Sequence, residues 1–226
     1  MDCRKIIERT KNSIAFVLTD DGTGTAFVFQ RGDVLVTCNH VIKGSEKIVI
    51  KFPDSEEYLN ANILISDEEH DLALLRFSPD KVREPLSLAK NPDVKEGSPV
   101  IFSGYPFGFK NLTTHQGIIS GIIKDPVGII TYSVDGSVNL GNSGGPLMNS
   151  DGEIIGVINA MRVVRGGLLN KVREMKMGAI KLHDTDLVDI FQAIISNLQL
   201  GVGFAVPASY IPAHKVVEEN KQLPNK

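Results

Sequence analysis

The chain has 226 residues, 42% of them hydrophobic, and a net charge of −3. That is apolar material for one large domain or two small halves, and too much for a disordered chain. The charge balance excludes the strong positive field that nucleic acid or acidic lipid calls for, and two cysteines, Cys3 and Cys38, are too few for a disulfide framework.

Taken in order, residues 3–12 predict a short helix with Ile6 and Ile7 on its apolar face. Strands then dominate. Ser13–Leu18, Gly24–Gln30, Val34–Cys38, Lys47–Phe52, Ala61–Ser66 and Leu72–Phe77 are short and rich in Val, Phe and Thr, with turns at Asp21-Gly22 and Arg31-Gly32-Asp33. A polar stretch with Pro79, Pro85 and Pro92 reads as a linker. Val100–Ser103, Gly117–Ile123, Gly128–Val134, Pro146–Met148, Ile154–Ala160 and Gly203–Val206 repeat the style. Many short strands between Gly and Asp turns predict an all-β barrel or sandwich in two halves of about six strands each. The domain layout expected is 13–78, a linker at 79–97, a second half from 98–160 and 201–207, an insertion at 161–200, and a C-terminal helix and tail at 208–226.

The insertion breaks the style. Its first part is basic, with Arg162, Arg165, Lys171, Arg173, Lys176 and Lys181 against Glu174. Its second part predicts an amphipathic helix with Leu187, Ile190, Phe191, Ile194, Ile195 and Leu198 on one stripe. It reads as a lid, a subunit contact or a basic face. Negative net charge and the lack of interleaved aromatics argue against nucleic acid. The N-terminus lacks a secretory leader pattern and no long apolar run occurs, so the expectations are a cytoplasmic location and no membrane partner.

Three stretches carry chemistry. In Gly141-Asn142-Ser143-Gly144-Gly145-Pro146-Leu147 the glycines allow positive φ and close approach, and the N–H groups of Gly141 and Ser143 can converge on one point, as an oxyanion site requires. Serine needs a base and an orienting acid. His40 sits in Leu35-Val36-Thr37-Cys38-Asn39-His40-Val41-Ile42, at the end of an apolar strand, and Asp71 precedes Leu72-Ala73-Leu74-Leu75. Singly, His40 reads equally as a satisfied core histidine, Asp71 as a turn residue and Ser143 as a plain loop residue. Together, the order His, Asp, Ser repeats a known triad order. Gly141-x-Ser143-x-Gly145 also fits a nucleophile elbow, but the hairpin signal Asp151-Gly152 follows where that fold needs a helix.

Thr37-Cys38-Asn39-His40-Val41, His70-Asp71-Leu72-Ala73-Leu74-Leu75 and the Gly141–Leu147 stretch resemble the motifs of chymotrypsin-fold serine proteases, closest to the HtrA (Deg-type) branch. Ser103-Gly104-Tyr105-Pro106-Phe107-Gly108 and Gly203-Phe204-Ala205-Val206-Pro207 extend the likeness. The resemblance implies two six-stranded antiparallel β-barrels with short terminal helices and a helical insertion. It implies Ser143 as nucleophile, His40 as base, Asp71 as orienting acid, and the Gly141-Asn142-Ser143 backbone as oxyanion hole. It further implies that the strand ending at Ala160 pairs with extended substrate. Asn142 stands where digestive relatives carry the Asp of a zymogen switch, and Ser137 where trypsin-like enzymes carry a specificity Asp. With Val138, Ile158, Asn159, Ala160 and Ala205, Ser137 implies a modest apolar pocket. The expected partner is a peptide or unfolded protein, cut after aliphatic residues. Homo-oligomerisation, as a trimer, is a family expectation; relatives of this branch usually add PDZ domains, and none is expected here, since the stretch after Pro207 is short. No cofactor and no metal are expected. The competing reading is a protease-like peptide-binding protein held inactive by its insertion.

Overall fold

The computed structural model describes residues 2–90, 92–160, 181–183, 185–186, 188, 190 and 201–213. Helix α1 (Cys3–Thr10) leads into six strands: β1 (Ile14–Thr19), β2 (Thr23–Phe29), β3 (Arg31–Cys38), β4 (Ile48–Lys51), β5 (Leu59–Asp67) and β6 (Leu72–Phe77). A four-residue helix, α2 (Asn39–Ile42), follows β3. These strands form a closed antiparallel barrel in the order β1-β2-β3-β6-β5-β4. After the linker come β7 (Pro99–Gly104), β8 (Thr113–Lys124), β9 (Ile130–Asp135), β10 (Pro146–Met148) and β11 (Ile154–Asn159). The chain later adds β12 (Lys181–Leu182), β13 (Thr185–Asp186) and β14 (Val202–Pro207). The second closed barrel runs β10-β11-β14-β9-β8-β7. The all-β architecture of two six-stranded barrels expected from the resemblance is the one present.

Side chains alternate across a strand, so a run apolar at every position is buried on both faces. On β1, Ala15 and Val17 fill the first barrel with Val28, Leu35, Ile50 and Leu75. Ile14 and Phe16 face the other way. They join Phe27, Val36 and Leu74 in a second core shared with Ile101, Tyr105, Met148, Ile154, Val157 and Val206 of the other barrel. Tyr105 marks this seam: its ring packs edge-on to Phe16 at 5.4 Å and its hydroxyl donates to the Ile14 carbonyl at 3.1 Å. The barrels are therefore joined through hydrophobic core rather than through a polar hinge.

One buried cation holds the linker. Arg83, its side chain 1% exposed, reaches Asp54 at 2.5 Å and Asp80 at 2.7 Å, donates to Asn12 O at 3.1 Å, and lies 3.7 Å over the Phe52 ring. Removing one partner of a buried ion pair costs about 3–5 kcal/mol. Asp54 and Asp80 both reach solvent, so Arg83→Ala is expected at the low end, about 3 kcal/mol. Urea unfolding with an unchanged slope checks it.

Arg162–Leu200 forms a compact unit of its own. Within it, β12 and β13 form an antiparallel pair about a turn at His183, with Lys181 opposite Asp186. The basic run and the amphipathic stripe, Lys181 and Ile190 apart, and the C-terminal helix beyond residue 213 lie outside the described residues.

Candidate active site

Local structure brings two of the three chemical stretches together within the first barrel. β3 ends at Cys38 and α2 turns His40 back over the β5–β6 turn, where Asp71 takes φ 56°, the left-handed region unusual for a non-glycine. His40 Nδ1 lies 2.6 Å from Asp71 Oδ2, and the His40 N–H donates to Oδ1 at 2.8 Å. A third donor, Asn159 Nδ2 at the end of β11, reaches Oδ2 at 2.7 Å. Burial works against the charged form of Asp71, but the His40 bonds and charge and the Asn159 amide outweigh it and hold the carboxyl below the usual carboxylate range. An ionised Asp71 is acceptor-only. Of the two groups, Nδ1 is therefore the donor in this contact, and in the neutral imidazole that tautomer leaves the lone pair on Nε2.

The same shift has a stability consequence. A carboxyl whose native pKa is depressed binds fewer protons folded than unfolded, so its contribution is complete above the unfolded value and is lost as pH falls through the native one. Asp54, Asp67 and Asp80 are shifted the same way. Melting temperature is thus expected to fall as pH drops below about 4, and Asp71→Asn is expected to flatten that acid limb. Thermal scans across pH test it, and an equal slope in both proteins would contradict the assignment.

The third stretch is a tight turn of the second barrel. Gly141 (φ 93°) and Gly144 (φ 86°) occupy the left-handed region, and a Cβ there would collide with the carbonyls of Tyr105 and Thr25. Among the described residues the N–H groups of Gly141 and Ser143 carry no backbone hydrogen bond, whereas those of Asn142, Gly144 and Gly145 bond to Asn139, Ile158 and Asn142 carbonyls. Ser143 is 3% exposed, and its Oγ accepts from the Ala160 N–H at 3.0 Å. Among the described residues no hydrogen bond joins it to His40. Asn142 is fully buried.

Thr25, on β2 of the first barrel, clamps this turn. Its Oγ1 donates to Gly141 O at 2.7 Å and accepts from Tyr105 N at 3.1 Å, while its N–H donates to Ser143 O at 2.8 Å. Sequence reasoning missed Thr25, because nothing distinguishes it from other strand threonines. It also assigned Asn159 only to a pocket. The available signal was an amide closing the otherwise apolar strand Ile154–Asn159.

A cleft of about 460 Å³ opens beside His40 and Ser143, walled by Val41, Phe107, Leu140 and Gly141. Of the residues assigned to a specificity pocket, Ile158 and Ala205 are paired across β11 and β14, fully buried in the second barrel, with Val138 packed on the same cluster. Ser137 is exposed, and its carbonyl accepts from Asn139 Nδ2. The donor atoms of Cys38, His40 and Asp71 lie within 4.8 Å of one another. Cys38 is buried and donates to the Ile158 carbonyl, so the cluster is a thiol packed behind a His–Asp pair.

A family model described as trypsin-like peptidase domain matches residues 24–157. The chain is 34% identical over 150 residues to a probable periplasmic serine endoprotease DegP-like of Hahella chejuensis, covering 65% of this chain and 31% of that protein. It is 34% identical over 158 residues to the serine protease Do-like HtrA of Bacillus subtilis, covering 64% and 34%. It thus spans about a third of the length of these curated relatives. Among solved structures, the HtrA-type protease AlgW with tripeptide superposes with a TM-score of 0.70 at 23% identity, covering 98% of this chain and 64% of that one. The M. tuberculosis Rv3671c protease in its inactive form superposes with a TM-score of 0.68 at 23% identity, covering 94% and 91%. At that identity these structures speak for the fold. The names correct one expectation: relatives from Hahella, Pseudomonas fluorescens and Halomonas elongata are called periplasmic, against the cytoplasmic location expected from the missing leader pattern and the lack of a long apolar run.

Proposed function

Because the chain belongs to the family of trypsin-like peptidase domains and is related to HtrA and DegP proteases, we propose that it is a serine endopeptidase. It cuts exposed segments of unfolded or flexible proteins outside the cytoplasm. Ser143 is the nucleophile. His40 takes its proton through Nε2 and passes it to the leaving amine, and Asp71 holds the Nδ1–H tautomer and stabilises the imidazolium. The N–H groups of Gly141 and Ser143 stabilise the tetrahedral oxyanion. The observation that carries the reading is the 2.6 Å contact between His40 Nδ1 and an Asp71 carboxylate that three donors hold in place. The Oγ that accepts from the Ala160 N–H keeps its own proton, which it must donate to His40 Nε2 for attack.

That Ser143–Ala160 bond favours a second reading, a peptide-binding protein held idle. A fluorophosphonate probe separates the two. Labelling at Ser143 together with cleavage of unfolded casein supports the enzyme; binding of casein with neither labelling nor cleavage supports the idle form.

Cleavage is expected after Val, Ala or Leu. Ser137 and Val138 offer no carboxylate where a basic side chain would need one, and Ile158 and Ala205 are apolar. A lysine buried there would be unpaired, which is costly. Mass spectrometry of casein fragments reads this out, and a profile dominated by cuts after Lys and Arg would overturn it.

A further inference from the structure

A second histidine–aspartate pair stands directly beside the first. His70 Nδ1 lies 2.9 Å from Asp67 Oδ2, and the His70 N–H donates to Asp67 Oδ1 at 3.1 Å, so one carboxylate holds both the backbone and the ring of the residue preceding Asp71. The His70 ring stacks on Tyr210 with centroids 4.3 Å apart and planes at 21°. Tyr210 follows β14, and its hydroxyl accepts from the Ile130 N–H of β9 at 3.0 Å. This clasp therefore runs from the second barrel, through an aromatic stack, to the turn whose next residue is Asp71. The turn needs such support. Asp71 has φ 56°, a left-handed conformation that costs free energy and persists only where the surroundings over-determine it. Its side chain receives donors from both barrels, His40 from the first and Asn159 from the second. A small rotation of the β5–β6 turn against the second barrel would stretch one of them.

We propose that Tyr210, acting through His70 and Asp67, is a positioning residue for the Asp71 carboxylate: it fixes the β5–β6 turn on the second barrel so that one carboxylate oxygen can bridge His40 and Asn159. The proposal rests on the peptidase reading of Ser143, His40 and Asp71. Misplacement of a reacting group by about 1 Å costs on the order of a hundredfold in rate, so a loosened turn is expected to cost about tenfold to a hundredfold.

The test is the rate of fluorophosphonate labelling of Ser143, with kcat and KM on a casein-derived peptide, in Tyr210→Ala, Tyr210→Phe and His70→Leu. Tyr210→Ala is expected to slow labelling and kcat by that factor with KM little changed, and Tyr210→Phe, which keeps the stack, to restore most of the rate. The same change made on an Asp71→Asn background is expected to slow labelling no further, because groups that act as one unit are non-additive. Equal slowing in both backgrounds would mean a structural effect that bypasses Asp71 and would overturn the proposal, as would wild-type rates in folded Tyr210→Ala. If Tyr210→Ala does not fold, the same comparison with His70→Leu decides. A wild-type chain that the probe never labels at Ser143 sinks the peptidase reading; a labelled wild type with unaffected variants sinks the clasp alone.

Discussion

Ser143→Ala is expected to lower peptide hydrolysis by on the order of 10⁴–10⁶ in kcat while the protein stays folded. The hydroxyl is the attacking atom in the proposed mechanism, and no other group in the turn can replace it. Its structural role is small: Oγ accepts one hydrogen bond, from the Ala160 N–H. The turn itself is held by contacts the mutation leaves alone, those of Thr25 with Gly141 and Ser143 and of Gly144 with Ile158. Losing one acceptor exposes a single donor, a cost of about 1–3 kcal/mol at most. Activity and stability should therefore separate. Turnover of casein by purified mutant and wild type, beside a thermal scan of each, makes the comparison, and equal turnover would end the serine mechanism.

Asp71→Asn is expected to cost about 10⁴ in kcat by a different route. An amide can replace the carboxylate sterically, but it presents an N–H where His40 Nδ1–H now donates. Either that contact becomes donor against donor or the imidazole moves its proton to Nε2, where it can no longer accept from Ser143. Asn159 adds to the conflict, since it donates to the same oxygen as His40. Combining Asp71→Asn with Ser143→Ala should lose little beyond Ser143→Ala alone. Full activity in Asp71→Asn would mean that the orienting acid lies elsewhere.

The strands of both barrels were legible because the chain marks them twice, by apolar runs and by Gly and Asp turns. Leu72–Phe77 and Pro146–Met148 begin and end where the sequence places them. The two-barrel closure was not readable from periodicity. Strands such as β1 and β3 bury both faces, which removes the alternation that would say which way they point; the two halves came from the strand count and the linker, and their closure into barrels from the resemblance. His40, Asp71 and Ser143 stood out because their residue types conflict with their apolar or glycine-rich settings. Thr25, Asn159 and Tyr210 were hidden because each fits its setting. A threonine in a strand, an amide at a strand end and a tyrosine near a proline are ordinary, and only the meeting of distant segments gives them partners.

Strand β14 pairs with both β11 and β9, and without it the second barrel has no closure. Asn159, which reaches Asp71, and Ala160, which holds the Ser143 hydroxyl, belong to or adjoin a strand that needs β14 as its neighbour. During synthesis the chain leaves the ribosome N-terminus first, and domains fold as units. The first barrel, with His40 and Asp71, emerges long before Val202–Pro207. A nascent chain thus carries every chemical group of the proposed protease while lacking the strand that aligns them. In the proposed mechanism such a chain is expected to pass its own unfolded segments, and those of its neighbours, without cutting them until the closing strand is in place.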